Sequence, residues 1–268
     1  MTDITIGFIG AGNMAASIVG GLIAKGHAPE RIYLNDIATD RLSELQQQFG
    51  VHTSNHYESF VGQCHAIVLA VKPQNMAEVC TALAPLLPNP APLIISIAAG
   101  VTVARLQQWL GAAPVVRAMP NTPALVQQGA TGLFASAEVS NTQHQQAEAL
   151  LNSVGLSVWL PEEALMDSVT AVSGSGPAYF FLLMEHMIAS AEAFGLDQHT
   201  ARQLVLQTAL GAAELAIQSN EPPSVLRERV TSPGGTTAAA LNTFMEGGFA
   251  SLVADALAAA KRRSEELA

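Results

Sequence analysis

Charge is scarce in this chain: only 13% of its 268 residues are Asp, Glu, Lys or Arg, while 49% are apolar. An ordinary soluble domain carries roughly 25% charged residues, so much of the surface is expected to be hidden by self-association. The charge that is present sums to −10, with a pI near 5.1. Nucleic acid and anionic membrane are excluded as bulk partners, since both would be repelled. Cysteine is almost missing as well. Cys64 and Cys80 sit in or beside apolar patterns without CxxC spacing, which excludes a disulfide framework and fits two buried thiols in a reducing cytosol. The seven histidines (27, 52, 56, 65, 144, 186 and 199) show no metal-ligand or triad spacing, so no metal is expected. There is no basic, apolar and small-residue leader, because an acidic residue stands at position 3 and a strand pattern follows at once. The longest apolar helix pattern, Ala178 to Phe194, is interrupted by Glu185, His186 and Glu192, which argues against a membrane span. A cytoplasmic protein is the expectation.

Residues 1 to about 160 alternate short β-rich runs with helical patterns, the mark of βαβ units around a parallel sheet. Strands are expected at Ile4–Ile9, Arg31–Asn35, His65–Val71, Leu93–Ile97 and Pro114–Arg117, with weaker ones at Gly132–Ala135 and Ser157–Leu160. Helices from Asn13 to Lys25 and from Arg41 to Phe49 each run up to a glycine. After Pro161 the β pattern stops and helices follow: Glu162–Ala171, Ala178–Phe194, Asp197–Ser219, Pro223–Val230, Thr236–Glu246 and Phe249–Leu267. The fold class expected is α/β, an N-terminal doubly wound domain over residues 1–161 followed by an all-α domain over 162–268. The helix from Glu162 could pack on either side of that boundary. Ala178-Tyr179-Phe180-Phe181-Leu182-Leu183-Met184 is apolar on every face; a helix of that kind needs burial on all sides, so the helical half is expected to be an oligomer interface.

Two segments carry chemistry. Near the N-terminus Gly10-x-Gly12-x-x-Ala15 follows an apolar strand and opens a helix at about Asn13. In a pyrophosphate turn Gly10 would permit the bend, Gly12 would leave room for phosphate, and Ala15 would let helix approach strand. Glycines also shape ordinary turns, but the strand before and the helix after favour a dinucleotide. The second strand ends at Asn35-Asp36, where an acidic side chain would bond an adenosine ribose, and no arginine adjoins it to receive a 2′-phosphate. Local chemistry therefore favours NADH. Ala70-Val71-Lys72-Pro73 and the run through Ala98 stand at further strand ends, where open sheets of this kind place ligands. Lys72 reads equally as a surface residue beside a turn proline. Near the other end, Ser232-Pro233-Gly234-Gly235-Thr236-Thr237 leads into a helix, offering bare N–H groups and hydroxyls to an anion. Ser232 and Thr236 also read as ordinary helix caps.

In order along the chain, Gly7-Phe8-Ile9-Gly10-Ala11-Gly12-Asn13-Met14, Ala70-Val71-Lys72-Pro73, Ser96-Ile97-Ala98-Ala99-Gly100-Val101-Thr102, Arg117-Ala118-Met119-Pro120-Asn121-Thr122-Pro123, Ser173-Gly174-Ser175-Gly176-Pro177-Ala178-Tyr179 and Ser232 to Thr237 together resemble the Δ1-pyrroline-5-carboxylate reductase family. The resemblance implies reduction of 1-pyrroline-5-carboxylate to L-proline with NADP(H) or NAD(H). It implies that Gly10, Gly12, Asn13, Met14 and Ala15 hold the pyrophosphate, that Asn55 lies on the adenosine side, that Ala70, Val71, Lys72 and Pro73 approach the nicotinamide half, and that Met119, Pro120, Asn121 and Thr122 line the nicotinamide. Ser232, Gly234, Gly235, Thr236 and Thr237 would receive the substrate. A dimer through the helical domain, often built up to a decamer, and a usual preference for NADPH are also implied; Asp36 departs from that preference.

Hydride transfer to a C=N bond needs no strong protein acid, since an imine takes its proton from water; a hydroxyl aimed at the ring nitrogen suffices, and Thr237 is the candidate. Ser173 to Pro177 reads equally as a floor to the site or as a tight interhelical turn. Two rivals remain. A β-hydroxyacid dehydrogenase would need a lysine where this chain has Phe180, and a non-enzymatic nucleotide sensor would bind cofactor without turnover.

Overall fold

Both faces of the sheet are covered by helices, which is why its central strands read as unbroken apolar runs. The computed structural model describes residues 4–267. Its strands are β1 (Ile6–Ile9), β2 (Ile32–Asn35), β3 (His52–Ser54), β4 (Ala66–Leu69), β5 (Leu93–Ser96), β6 (Val115–Met119), β7 (Gly129–Ala135) and β8 (Gly155–Trp159). They form one sheet in the order β3-β2-β1-β4-β5-β6-β7-β8. The order steps outward from β1 in both directions, so the doubly wound topology is observed, with a switch point between β1 and β4. Alternate residues feed two cores. Phe8, Leu34, Val68, Ile95 and Val116 meet Ile18, Leu22 and Leu45 on one face. Ile67, Leu69, Ile94 and Val115 meet Met76, Cys80 and Leu106 on the other. Burial in this second core pushes both thiols up to about 12, leaving them unreactive at neutral pH.

Two features differ from the reading of the sequence. The sheet is not parallel throughout: β7 runs antiparallel to β6 and β8 follows β7. Only residues 120–128 join β6 to β7, fewer than the roughly dozen that a parallel crossover takes. The edge strand β3 was not expected, because His52-Thr53-Ser54 is short, polar and partly exposed, and so carries no hydrophobic signal.

The helices of this region are α1 (Asn13–Ala24), α2 (Thr39–Phe49), α3 (Met76–Leu83), α4 (Val103–Leu110), α5 (Asn141–Leu151) and α6 (Met166–Val169). The stretch expected as one helix from Glu162 is instead a 3-10 turn at Glu163–Leu165, then α6, then a π-helical turn at Thr170–Gly174. The Glu163 carboxylate accepts from the Val103 N–H (2.8 Å) and from Arg117 Nη1 (3.0 Å), fastening this stretch to the start of α4 and to β6. Contacts group the chain into two compact units, one ending at Ser175 and taking in the chain again from Ala260, the other running from Gly176 to Ala259.

The second unit contains α7 (Gly176–Ala193), α8 (Gln198–Gln218), α9 (Pro223–Arg229), α10 (Thr236–Glu246) and most of α11 (Phe249–Leu267). Asp197 caps α8 by accepting from the Thr200 N–H; the Thr200 hydroxyl, and after it that N–H, lower the carboxyl's pKa. As the all-round apolar pattern demands, a single copy cannot cover these helices: Phe180 and Phe181 stay 65% and 61% exposed, and Ile217 82%. Apolar exposure on this scale marks a surface that another molecule covers.

Candidate active site

The first candidate site grows from the end of β1. Gly10 has φ +98°, and its N–H donates to the Asn35 carbonyl at 2.8 Å. A Cβ at this position would lie 2.7 Å from the Ala70 carbonyl carbon and oxygen. Both the left-handed backbone and the close approach of the β4 end therefore require glycine. Gly12 differs, since a Cβ there would meet nothing within 4 Å: the space above it is open. It is the N-cap of α1, and no side chain caps that helix, so the N–H groups of the first turn are free for an anion. Asn13 and Met14 lie in that first turn and Ala15 is buried beneath it. The arrangement fits a dinucleotide pyrophosphate.

Around this turn the structure assigns several side chains to holding the loop. One oxygen of Asp36 accepts from the Ala11 N–H at 2.8 Å and the other from the Ala38 N–H at 3.0 Å. Its carboxylate thus faces the glycine loop. Asn55 Nδ2 donates to the Asp36 carbonyl (2.9 Å), and Asn35 Nδ2 donates to the Ser54 carbonyl (2.9 Å). Asn35 is buried and ties the strand ends together from behind. The sequence reading found no arginine beside Asp36, yet Arg41, in the first turn of α2, sets its Nε to donate to the Ala11 carbonyl at 3.3 Å, while Nη1 pairs with Glu44. A scan of the residues next to Asp36 misses it because a tertiary contact with Ala11, 30 positions away, brings it in.

The other strand ends are near neighbours of this turn in the sheet order. Ala70 N–H donates to the Ile9 carbonyl, fixing the β4 end against β1. Val71 is half-buried, and Lys72 and Pro73 are exposed. Ala98 is buried, with its N–H on Ser96 Oγ. At the end of β6, Met119 is half-buried, Pro120 buried and Thr122 exposed. Asn121 is also buried; its Oδ1 accepts from the Ala130 N–H and its Nδ2 donates to the Ser173 carbonyl, both at 2.9 Å.

A second candidate site lies in the helical unit. Gly235 N–H donates to the Ser232 carbonyl at 3.0 Å, closing a four-residue turn with Pro233 second and Gly234 third at φ +70°, the arrangement of a type II turn. Gly235 is the N-cap of α10 and no side chain caps that helix. Neither Ser232 nor Thr236 acts as the cap that the sequence alone allowed. The Gly235 N–H, expected among the groups facing the substrate, is spent on the turn. The N–H groups of Thr236 and Thr237, in the first turn of an eleven-residue helix, keep their donors for an anion.

A glycine turn between β1 and α1, open above Gly12, on a mostly parallel doubly wound sheet defines a dinucleotide-binding protein. Comparison gives the particular family. Residues 163–267 match the family model for pyrroline-5-carboxylate reductase dimerisation, and residues 5–100 match one described as NADP oxidoreductase, coenzyme F420-dependent. The pyrroline-5-carboxylate reductase of Pseudomonas aeruginosa is 52% identical over 100% of this chain and 98% of its own length. A solved reductase from Coxiella burnetii is 43% identical, with TM-score 0.95 over 99% of this chain and 98% of that one. The Plasmodium falciparum enzyme, solved with NADP bound, is 30% identical with TM-score 0.88 over 100% of this chain and 99% of that one. The chain belongs to the pyrroline-5-carboxylate reductase family. This sets aside the β-hydroxyacid dehydrogenase and the cofactor sensor. Among the described residues, no helix is long and apolar enough to cross a membrane.

Proposed function

We propose that Ser232 to Thr237 holds the carboxylate of 1-pyrroline-5-carboxylate while the ring C=N is reduced to give proline. The observation that carries this reading is the uncapped start of α10 behind a closed Ser232–Gly235 turn. Donors there point outward with no internal acceptor, and the helix dipole favours negative charge. The Gly234, Thr236 and Thr237 N–H groups and the Ser232 hydroxyl grip the acid group; Gly235 shapes the turn. The Thr237 hydroxyl, one residue into the helix, faces the ring nitrogen.

The bound dinucleotide would supply the hydride. Gly10, Gly12, Asn13, Met14 and Ala15 hold its pyrophosphate, Asp36 and Asn55 border its adenosine side with Asn35 bracing them, and Ala70, Val71, Lys72, Pro73 and Ala98 lead toward the nicotinamide. Met119, Pro120, Asn121 and Thr122 line the nicotinamide, Asn121 from behind. The imine takes its proton from water, so the residues contribute chiefly position and fixed dipoles.

The turning of Asp36 toward Ala11 N–H weakens its repulsion of a 2′-phosphate, and Arg41 offers a cation nearby. Both NADH and NADPH are therefore accepted. Arg41→Ala is expected to weaken NADPH binding about tenfold, the worth of one charge-assisted hydrogen bond, and to leave NADH within about twofold, read by fluorescence titration. Equal losses for both would remove Arg41 from the discrimination. The protein works as a cytoplasmic homodimer through residues 162–268, with Phe180, Phe181 and Ile217 covered by the second copy and dimers assembled further into a decamer. The activity itself is tested by following nicotinamide oxidation with 1-pyrroline-5-carboxylate and each cofactor: turnover with either supports it, and cofactor binding without turnover rejects it.

A further inference from the structure

Two motifs far apart in the sequence, Met119-Pro120-Asn121-Thr122 and Ser173-Gly174-Ser175-Gly176-Pro177, are built against each other. In a continuous α-helix the Ser173 carbonyl would accept from the N–H of residue 177. That residue is Pro177, which has no N–H to give. The backbone here instead takes a π-helical turn, with the Ser175 N–H bonded to the Thr170 carbonyl at 2.8 Å, and the Ser173 carbonyl accepts from Asn121 Nδ2 at 2.9 Å. The neighbouring residue, Gly174, leaves room for a side chain from the Met119–Thr122 loop. A Cβ on Gly174 would stand 2.7 Å from Met119 Cε, so the turn provides a seat for the Met119 side chain. Asn121 is anchored on its other side by the Ala130 N–H of β7 at 2.9 Å. A π-turn inside a helical stretch is itself a departure that recurs at functional sites.

We infer that Asn121 is a positioning residue for hydride transfer: through the carbonyl that Pro177 leaves free, it sets the conformation of the Met119–Thr122 loop against the turn at Thr170–Gly174. The inference rests on the assignment of that loop to the nicotinamide. It follows that the donor on Asn121, and not merely its bulk, is what the reaction needs. An aspartate at position 121 keeps the acceptor for Ala130 but places a carboxylate against the Ser173 carbonyl. When that carboxyl is protonated it becomes a donor again.

The test compares Asn121→Asp, Pro177→Ala and the wild-type enzyme as folded full chains across pH, with Met119 followed by its labelled methyl resonance in NMR. Asn121→Asp is expected to lower the rate of hydride transfer in single turnovers at least tenfold at pH 8, to leave the dissociation constant for NADPH within about threefold because the pyrophosphate turn is untouched, and to regain rate relative to wild type as pH falls. Pro177→Ala, which supplies the missing N–H, is expected to lower the rate in the same direction and to shift the Met119 methyl signal in the free enzyme. Loss of rate in Asn121→Asp with no recovery at low pH, or full activity in it at pH 8, overturns the inference. If instead NADPH does not perturb the Met119 methyl signal in the wild-type enzyme, the assignment of the loop to the nicotinamide fails, a result distinct from failure of the Asn121 role.

Discussion

Replacing Thr237 with alanine is expected to lower kcat about a hundredfold, while the dissociation constant for NADPH or NADH is expected to stay within about twofold of the wild-type value. The asymmetry follows from where the residue stands. Thr237 is the second residue of α10, in the helical unit, and belongs to no part of the glycine turn that holds the dinucleotide. Its backbone N–H survives the change, so the grip on the carboxylate is largely kept. What disappears is the hydroxyl proposed to fix the ring nitrogen, an interaction whose worth would lie in orienting the C=N bond for hydride. Thr237→Ser, which keeps the hydroxyl, is expected to retain most of the rate. Steady-state kinetics beside fluorescence titration of each cofactor gives the answer; unchanged turnover would remove Thr237 from the mechanism.

Gly10→Ala is the second large effect, and it acts on the glycine turn. The substitution forces a side chain onto a backbone at φ +98° and drives a Cβ to 2.7 Å from the backbone of Ala70. Strain at a left-handed position and overpacking against atoms that cannot step aside each cost about 1–3 kcal/mol. Relief requires the ends of β1 and β4 to part, which breaks the seat of the pyrophosphate. We expect a drop of several degrees in Tm together with loss of measurable binding of both cofactors. Gly12→Ala is a contrasting case. Its Cβ meets no protein atom within 4 Å, so the folded chain tolerates it and the loss falls on the dinucleotide alone. Thermal melts and cofactor titrations on the pair separate the two roles; equal Tm losses in both would show that the space above Gly12 is not kept for a ligand.

What was legible in the sequence had strong local causes. The strand at Ile6–Ile9 is an apolar run stopped by a glycine that only a turn explains, and the start of α10 follows a Pro-Gly-Gly sequence that a helix cannot absorb. What was illegible depended on direction or on partners distant in sequence. Asp36 stands where a ribose-binding acid would, but position along a strand does not say which way a carboxylate turns, and the Ala11 N–H lies closer to hand. Arg41 was missed because its contact with Ala11 spans 30 positions. The reversal at β7 is written in the length of residues 120–128 more than in their composition. The link between Asn121 and Ser173 spans 52 positions, and its one local trace is a proline that removes a hydrogen-bond donor.

The direct measurement is a crystal structure of the enzyme with proline, or a non-reducible cyclic analogue carrying its carboxylate, together with the oxidised cofactor. The acid group should lie within hydrogen-bond distance of the Thr236 and Thr237 N–H groups and the ring nitrogen against the Thr237 hydroxyl. A ligand bound away from residues 232–237 would contradict the account.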